Sequence, residues 1–215
     1  MEPDERGVSF LIMDVGEMLR EHGKLEQAEK LFTDALEVRR RVCGADDPKT
    51  LTSINNLGTL LCDMRRYFEA MPLLEEAMAT RRATQGDRHP ETLTAINNLA
   101  SCFKAVGQYD RAEPLYVETL ESRREVCGNR HPDTLTSLNN LATLYQGFGT
   151  VDKLELAEPL LKEATVGAKQ ELGAEHAHTA IFAKNLEQLQ AKLKKVQDSQ
   201  RRTLGGMESK KGKKK

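Results

Sequence analysis

Several things are missing from this chain of 215 residues, and each absence closes a class of function. No apolar run approaches the roughly 18–20 residues that a membrane-spanning helix requires, so no insertion is expected. The stretch MEPDERGVSF is acidic and lacks the basic-then-apolar order of a secretory signal. Tryptophan is absent, and cysteine is limited to Cys43, Cys62, Cys102 and Cys127. These four show no CxxC and no histidine at metal spacing. Reduced thiols in a cytoplasmic protein are the reading, with neither a metal nor a cofactor expected. No GxxxxGK[ST] phosphate loop occurs. No Ser/His/Asp or Cys/His arrangement stands out, so no catalytic residue is assigned and the chain is read as not an enzyme. His89 and His131 precede prolines and read as turn residues, while His22, His176 and His178 fall near helix ends. No alternating strand pattern is seen, which leaves an all-α chain.

Charge excludes more. The formal net charge is −1, so the chain as a whole has no general attraction to nucleic acid or membrane. It is unevenly spread: from Gln200 onward there are seven Lys/Arg and one Glu, leaving about −7 for the rest. The segment GGMESKKGKKK has almost nothing to bury, and residues 204–215 are expected to form a disordered basic tail.

What the chain does have is repetition. HPETLTAINNLA at 89–100 returns as HPDTLTSLNNLA at 131–142, and DDPKTLTSINNLG places Asn55-Asn56 a further 42 residues upstream. Gly44, Gly86 and Gly128 keep the same interval, as do Ala28, Ala70 and Ala112, and the pairs Arg39-Arg40, Arg81-Arg82 and Arg123-Arg124. After Gly149 the register slips by three, and Ala157, Pro159, Gly173 and Asn185 resume the pattern at 45.

Each repeat reads as two helices. Leu93, Ile96, Leu99, Ala100 and Phe103 form one apolar stripe, with Pro90 in the first turn and His89 or Asp47 in the capping neighbourhood. Gly107 ends this helix, as Gly23 and Gly149 do in theirs; Arg65 takes the place in the second repeat, whose turn must be solved otherwise. In the second helix Tyr109, Ala112, Leu115, Tyr116 and Leu120 face inward. A lone hairpin cannot bury such stripes, whereas stacked hairpins can. The expectation is a right-handed α-solenoid with a concave surface. Four hairpins are placed at about 4–45, 46–88, 89–130 and 131–175. A capping helix follows at about 177–203, apolar at Phe182, Leu186, Leu189, Leu193 and Val196. The repeat domain thus spans 4–203.

The pattern HPxTLxxxNNLAxxxxxxGxYxxAEPLxxxxLxxR, met nearly in full by residues 89–123, resembles the tetratricopeptide repeats of kinesin light chains. The resemblance covers about residues 8–190. It implies that the first helix of each hairpin lines the concave groove and that groove asparagines grip an extended cargo peptide. Kinesin light chains carry a long heptad region before their repeats. Only a few residues precede them here, so the chain reads as an isolated repeat domain with a possible tie to microtubule motors.

On a helical projection Thr94, Asn97, Asn98 and Ser101 lie opposite the apolar stripe. Repetition stacks Asn56, Asn98, Asn140 and Asn185 into one rail and Asn55, Asn97 and Asn139 into a second. An amide side chain both donates and accepts, so it can pair with a peptide backbone whatever the side chain. Lys104, with Arg20, is the groove-side cation. Residues four before the asparagines are Thr52, Thr94 and Thr136, not the lysines of the chaperone-tail clamp. The reading is a non-catalytic scaffold that binds a protein or peptide partner, monomeric and without nucleic acid. The alternatives are a structural unit with a self-filled groove, whose asparagines fasten hairpins together, and a sensor fragment of a larger signalling protein.

Overall fold

The computed structural model describes the backbone of residues 3–211 and the side chains of residues 11–199. The helices are α1 (Pro3–Glu21), α2 (Leu25–Cys43), α3 (Pro48–Asp63), α4 (Tyr67–Gln85), α5 (Pro90–Ala105), α6 (Tyr109–Cys127), α7 (Pro132–Phe148), α8 (Val151–Glu171) and α9 (Ala177–Lys211). No strand occurs among the described residues. The architecture is all-α, of the solenoid type in which one helical hairpin stacks on the next. It falls into two units, Met1–Ser122 and Arg123–Lys215.

The first unit contains the hairpins α1–α2 and α3–α4, then α5 and most of α6. α2 packs on α3 and α4 on α5, while α3 also touches α5 directly. Its core is Phe32, Leu51, Ile54, Leu74, Leu93, Ile96 and Tyr116, all fully buried. The second unit contains the end of α6, the hairpin α7–α8 and the closing helix α9. Leu135, Leu138, Leu161, Phe182 and Leu189 form its core. Leu93, Ile96, Leu99, Ala100 and Phe103 are buried, as the period requires. In α6 the buried apolar positions are Ala112, Tyr116 and Leu120, while Tyr109 and Leu115 are only half-buried.

Local sequence sets the helix starts. Asp47, His89 and His131 each stand at an N-cap with proline behind them, and each accepts a hydrogen bond from the amide two residues on: 2.9 Å from Lys49, 3.2 Å from Glu91 and 3.2 Å from Asp133. His176 does the same for the amide of His178 at 3.2 Å. These histidines are therefore caps rather than passive turn residues. At the turn inside each hairpin the chain goes left-handed: φ is 73° at Gly23, 77° at Gly107 and 74° at Gly149. Arg65 adopts the same conformation with φ 61°, so the second hairpin has no alternative turn. Its side chain bears a steric penalty that glycine avoids.

α9 continues past the boundary expected near 203 and ends at Lys211. Most residues of 200–211 are good helix formers, and Gly205 and Gly206 cost only about 1 kcal/mol each. Residues 212–215 lie outside the described residues.

The arginine pairs hold neighbouring hairpins together. The first of each pair is buried, with Arg39, Arg81 and Arg123 at 6%, 1% and 6% exposure. Arg39 donates to the carbonyl of Lys49 at 3.0 Å and to the Ser53 hydroxyl at 2.7 Å. Arg123 repeats this with Asp133 at 3.1 Å and Ser137 at 2.9 Å. In α5 the serine is replaced by Ala95, and Arg81 bonds instead to the Thr52 hydroxyl at 2.9 Å and to Glu91 at 3.2 Å. Burial pushes all three guanidinium groups below their ordinary value. The second arginines reach an acid in the next hairpin: Arg40 to Glu76 at 2.8 Å, Arg82 to Glu118 at 2.6 Å and Arg124 to Glu163 at 2.6 Å.

Candidate functional site

α3 and α5 carry the expected asparagines, and the structure joins them. Asn98 Nδ2 donates to Asn55 Oδ1 at 3.1 Å, across 43 positions. In the second unit Asn185 Nδ2 donates to Asn139 Oδ1 at 2.8 Å, across 46. The sequence columns run at 42 and 45, so each bond crosses from one rail to the other. The asparagine in the Asn56 column of one helix meets the first asparagine of the preceding first helix. Two open, parallel rails are thus replaced, at these two pairs, by amide bridges between hairpins. Each bridge uses one donor and one acceptor, which leaves the Asn98 carbonyl and the Asn55 amide with capacity to spare. Asn56, Asn97 and Asn140 are half-buried, whereas Asn139 is buried.

Beside the Asn98–Asn55 bridge lies a cavity of about 270 Å³, walled by Thr59, Cys62, Asp63, Tyr67, Asn98 and Ser101, with Leu74 and Ala105 completing it. Two predicted residues, Asn98 and Ser101, therefore share one wall. The Ser101 hydroxyl donates to the carbonyl of Asn97 at 2.9 Å and pairs with the Tyr116 hydroxyl at 2.7 Å. Burial pushes the Tyr116 phenol up to about 12, and the bond to Ser101 opposes that only in part. Lys104 Nζ stands 5.9 Å from the centre of the Tyr116 ring, and burial lowers its pKa. It is a half-buried cation, not a solvated helix-end charge. Thr94 donates its hydroxyl proton to the carbonyl of Pro90 at 3.0 Å, which leaves it only as an acceptor.

The sequence did not single out Cys62, Asp63 or Tyr67 as cavity residues. Asp63 is fixed by the guanidinium of Arg20 at 2.7 Å, and Arg20 also meets Glu17 at 3.0 Å, so that cation is already engaged. A hydrogen bond to Cys102, together with burial, pushes the Cys62 thiol up. Cys102 Sγ in turn lies 3.6 Å from the carbonyl of Tyr67. A pattern at 42 hides these contacts, because the pairs in question are 40, 43 and 35 apart. The second unit has a cavity of about 420 Å³ on another face, between Asn129, Arg130 and Leu135 on one side and Lys162, Val166 and Gly167 on the other. None of the paired-column asparagines Asn139, Asn140 and Asn185 lines it. No helix among the described residues is long and apolar enough to cross a membrane.

This arrangement is that of a helical-repeat protein. A family model described as tetratricopeptide repeat matches residues 9–62, 51–125 and 93–150, which together span more than half of the chain. The chain belongs to the tetratricopeptide repeat family, whose members serve in general as protein-interaction scaffolds and are typically non-catalytic. Among solved structures it is similar to nearly identical tetratricopeptide-like repeats from P. anserina assigned to a kinesin light chain, with 23% identity and a TM-score of 0.75 over 94% of this chain and 93% of that one. A single-substitution variant of the same protein aligns at 21% identity and TM-score 0.76 over 99% of both chains. BtubC (BKLC) from P. vanneervenii aligns at 21% and 0.72 over 95% of this chain and 87% of its own. The fold is therefore of the kinesin light chain repeat kind. No curated protein sequence matches.

Proposed function

We propose that this protein is a non-catalytic cytoplasmic scaffold that holds an extended segment of a partner protein on the face shared by its first helices, in the manner of cargo or adaptor recognition. The observation that carries the reading is the juxtaposition of spare amide groups on Asn98 and Asn55 with the cavity of about 270 Å³. The amides suit a peptide backbone, and the cavity suits one side chain. Asn56, Asn97, Asn139, Asn140, Asn185, Thr94, Ser101 and Lys104 extend the same face within their own units. The likeness to kinesin light chain repeats supports this choice of face but does not name the cargo.

A photo-crosslinking residue at Thr59, with one at exposed Glu121 as control, tests the proposal in cell extract. Adducts at 59 should concentrate in one short segment of a partner. A synthetic peptide of that segment should bind the full chain, and Asn98→Ala should weaken it by about tenfold or more. Equal labelling at both positions, or a peptide that does not bind, overturns the reading. The bridges Asn98–Asn55 and Asn185–Asn139 also favour a second reading, in which the asparagines mainly fasten the hairpins together. Asn98→Ala would then lower stability and leave peptide affinity unchanged.

A further inference from the structure

The interior first helices bury the same three positions. These are Ser53, Leu57 and Leu60 in α3, Ala95, Leu99 and Cys102 in α5, and Ser137, Leu141 and Leu144 in α7, none more than 7% exposed. In the first unit the preceding hairpin supplies the cover. Arg39 reaches Ser53 at 2.7 Å, and the Ser53 hydroxyl lies 3.8 Å from Met13 Sδ. Forty-two residues earlier, α1 carries Leu11, Val15 and Met18 at these positions. They are apolar yet 69%, 38% and 51% exposed. α1 thus shows the face that the other first helices hide.

An exposed face at the end of a repeat stack does not have to be apolar, and α9 shows this. Gly58, which packs closely against Leu74 of α4, shares its repeat position with the fully buried Ala100 and Ala142, and the counterpart in α9 is exposed Glu187. Leu61, Phe103 and Tyr145 correspond to exposed Gln190. Polar residues of this kind are what an open solenoid end requires. The three apolar residues of α1 depart from that rule.

A charge points the same way. Glu76, Glu118 and Glu163 each receive an arginine from the end of the preceding second helix. The equivalent acid in α2 is Asp34, which is exposed and has no ion-pair partner among the described residues. We propose that the α1–α2 face docks a helical hairpin of the same repeat class belonging to another protein. Its second helix would end in an arginine for Asp34, and its apolar side would cover Leu11, Val15 and Met18. A second copy of this chain fits poorly, because Arg40, Arg82 and Arg124 are already held by their own glutamates.

The probe is residues 4–130 of this chain carrying Leu11→Lys and Met18→Lys. These changes block its own α1, and the truncation frees Arg124. Circular dichroism first checks that it is helical. Sedimentation should then show a one-to-one complex with the full chain. Asp34→Arg in the full chain should weaken it by about tenfold or more, and Arg124→Glu in the probe should restore it. A helical probe that does not bind, or binding indifferent to Asp34→Arg, overturns the proposal. So does a full chain that dimerises by itself and becomes monomeric with Leu11→Lys. If the probe does not fold, residues 46–87 spliced directly ahead of Asp4 place a hairpin on the face in register. Leu11→Cys should then react with maleimide at least about tenfold more slowly than in the unspliced chain. Equal rates overturn the proposal.

Discussion

Asn98 donates to Asn55 at 3.1 Å, so the paired asparagines of this repeat bind one another across hairpins before they bind anything else. The bridge predicts a coupled energy. Asn98→Ala and Asn55→Ala should each destabilise the protein by about 1 kcal/mol, and the double variant by less than the sum. Urea unfolding of the four proteins measures the difference. Strict additivity would show that the amides act separately.

Much of the fold was legible in the sequence because it depends on spacings within one helix or on identical residues one repeat apart. The stripe Leu93, Ile96, Leu99 and Phe103, the cap His89-Pro90 and the turn at Gly107 are all local. What could not be read depends on contacts that cross columns. Asn98 was aligned with Asn56 and Asn140, but it bonds to Asn55, across 43 positions where the repeat is 42. The arginine pairs are a second case. Their 42-residue interval shows that they repeat and says nothing of burial, yet Arg81 is 1% exposed. Its long stem packs inside while the guanidinium finds oxygen acceptors on α3 and α5, and only the structure shows that those acceptors are within reach.

Ser137 accepts from the buried Arg123 at 2.9 Å. Ser137→Ala removes an acceptor from a charged donor and should cost about 1.5–3 kcal/mol. Ala95 occupies the same position below Arg81, so Ala95→Ser is expected to stabilise by up to about 1 kcal/mol through a new bond. Thermal unfolding of both variants checks the pair, and opposite signs are required.

At the turn between α3 and α4, Arg65 holds φ at 61°, where glycine stands in the other hairpins. Arg65→Gly relieves that strain and should raise stability by about 0.5–1 kcal/mol, even though it adds flexibility to the unfolded chain. A fall in melting temperature would mean that the arginine side chain makes a compensating contact.

The Tyr116 phenol, raised to about 12 by burial, couples stability to alkaline pH. Above pH 10 the unfolded chain releases this proton while the folded chain keeps it. The unfolded state then binds fewer protons, so stability must fall as pH rises from about 10 to about 12. Lys104 acts in the opposite sense, because its lowered pKa means that the folded chain gives up its proton first, and this offsets part of the loss. Tyr116→Phe should therefore be less stable than wild type at pH 8, since it forfeits the bond to Ser101, yet its stability should change less between pH 10 and 12. Parallel urea curves for the two proteins across that range decide the matter: equal slopes would place the alkaline sensitivity in another group.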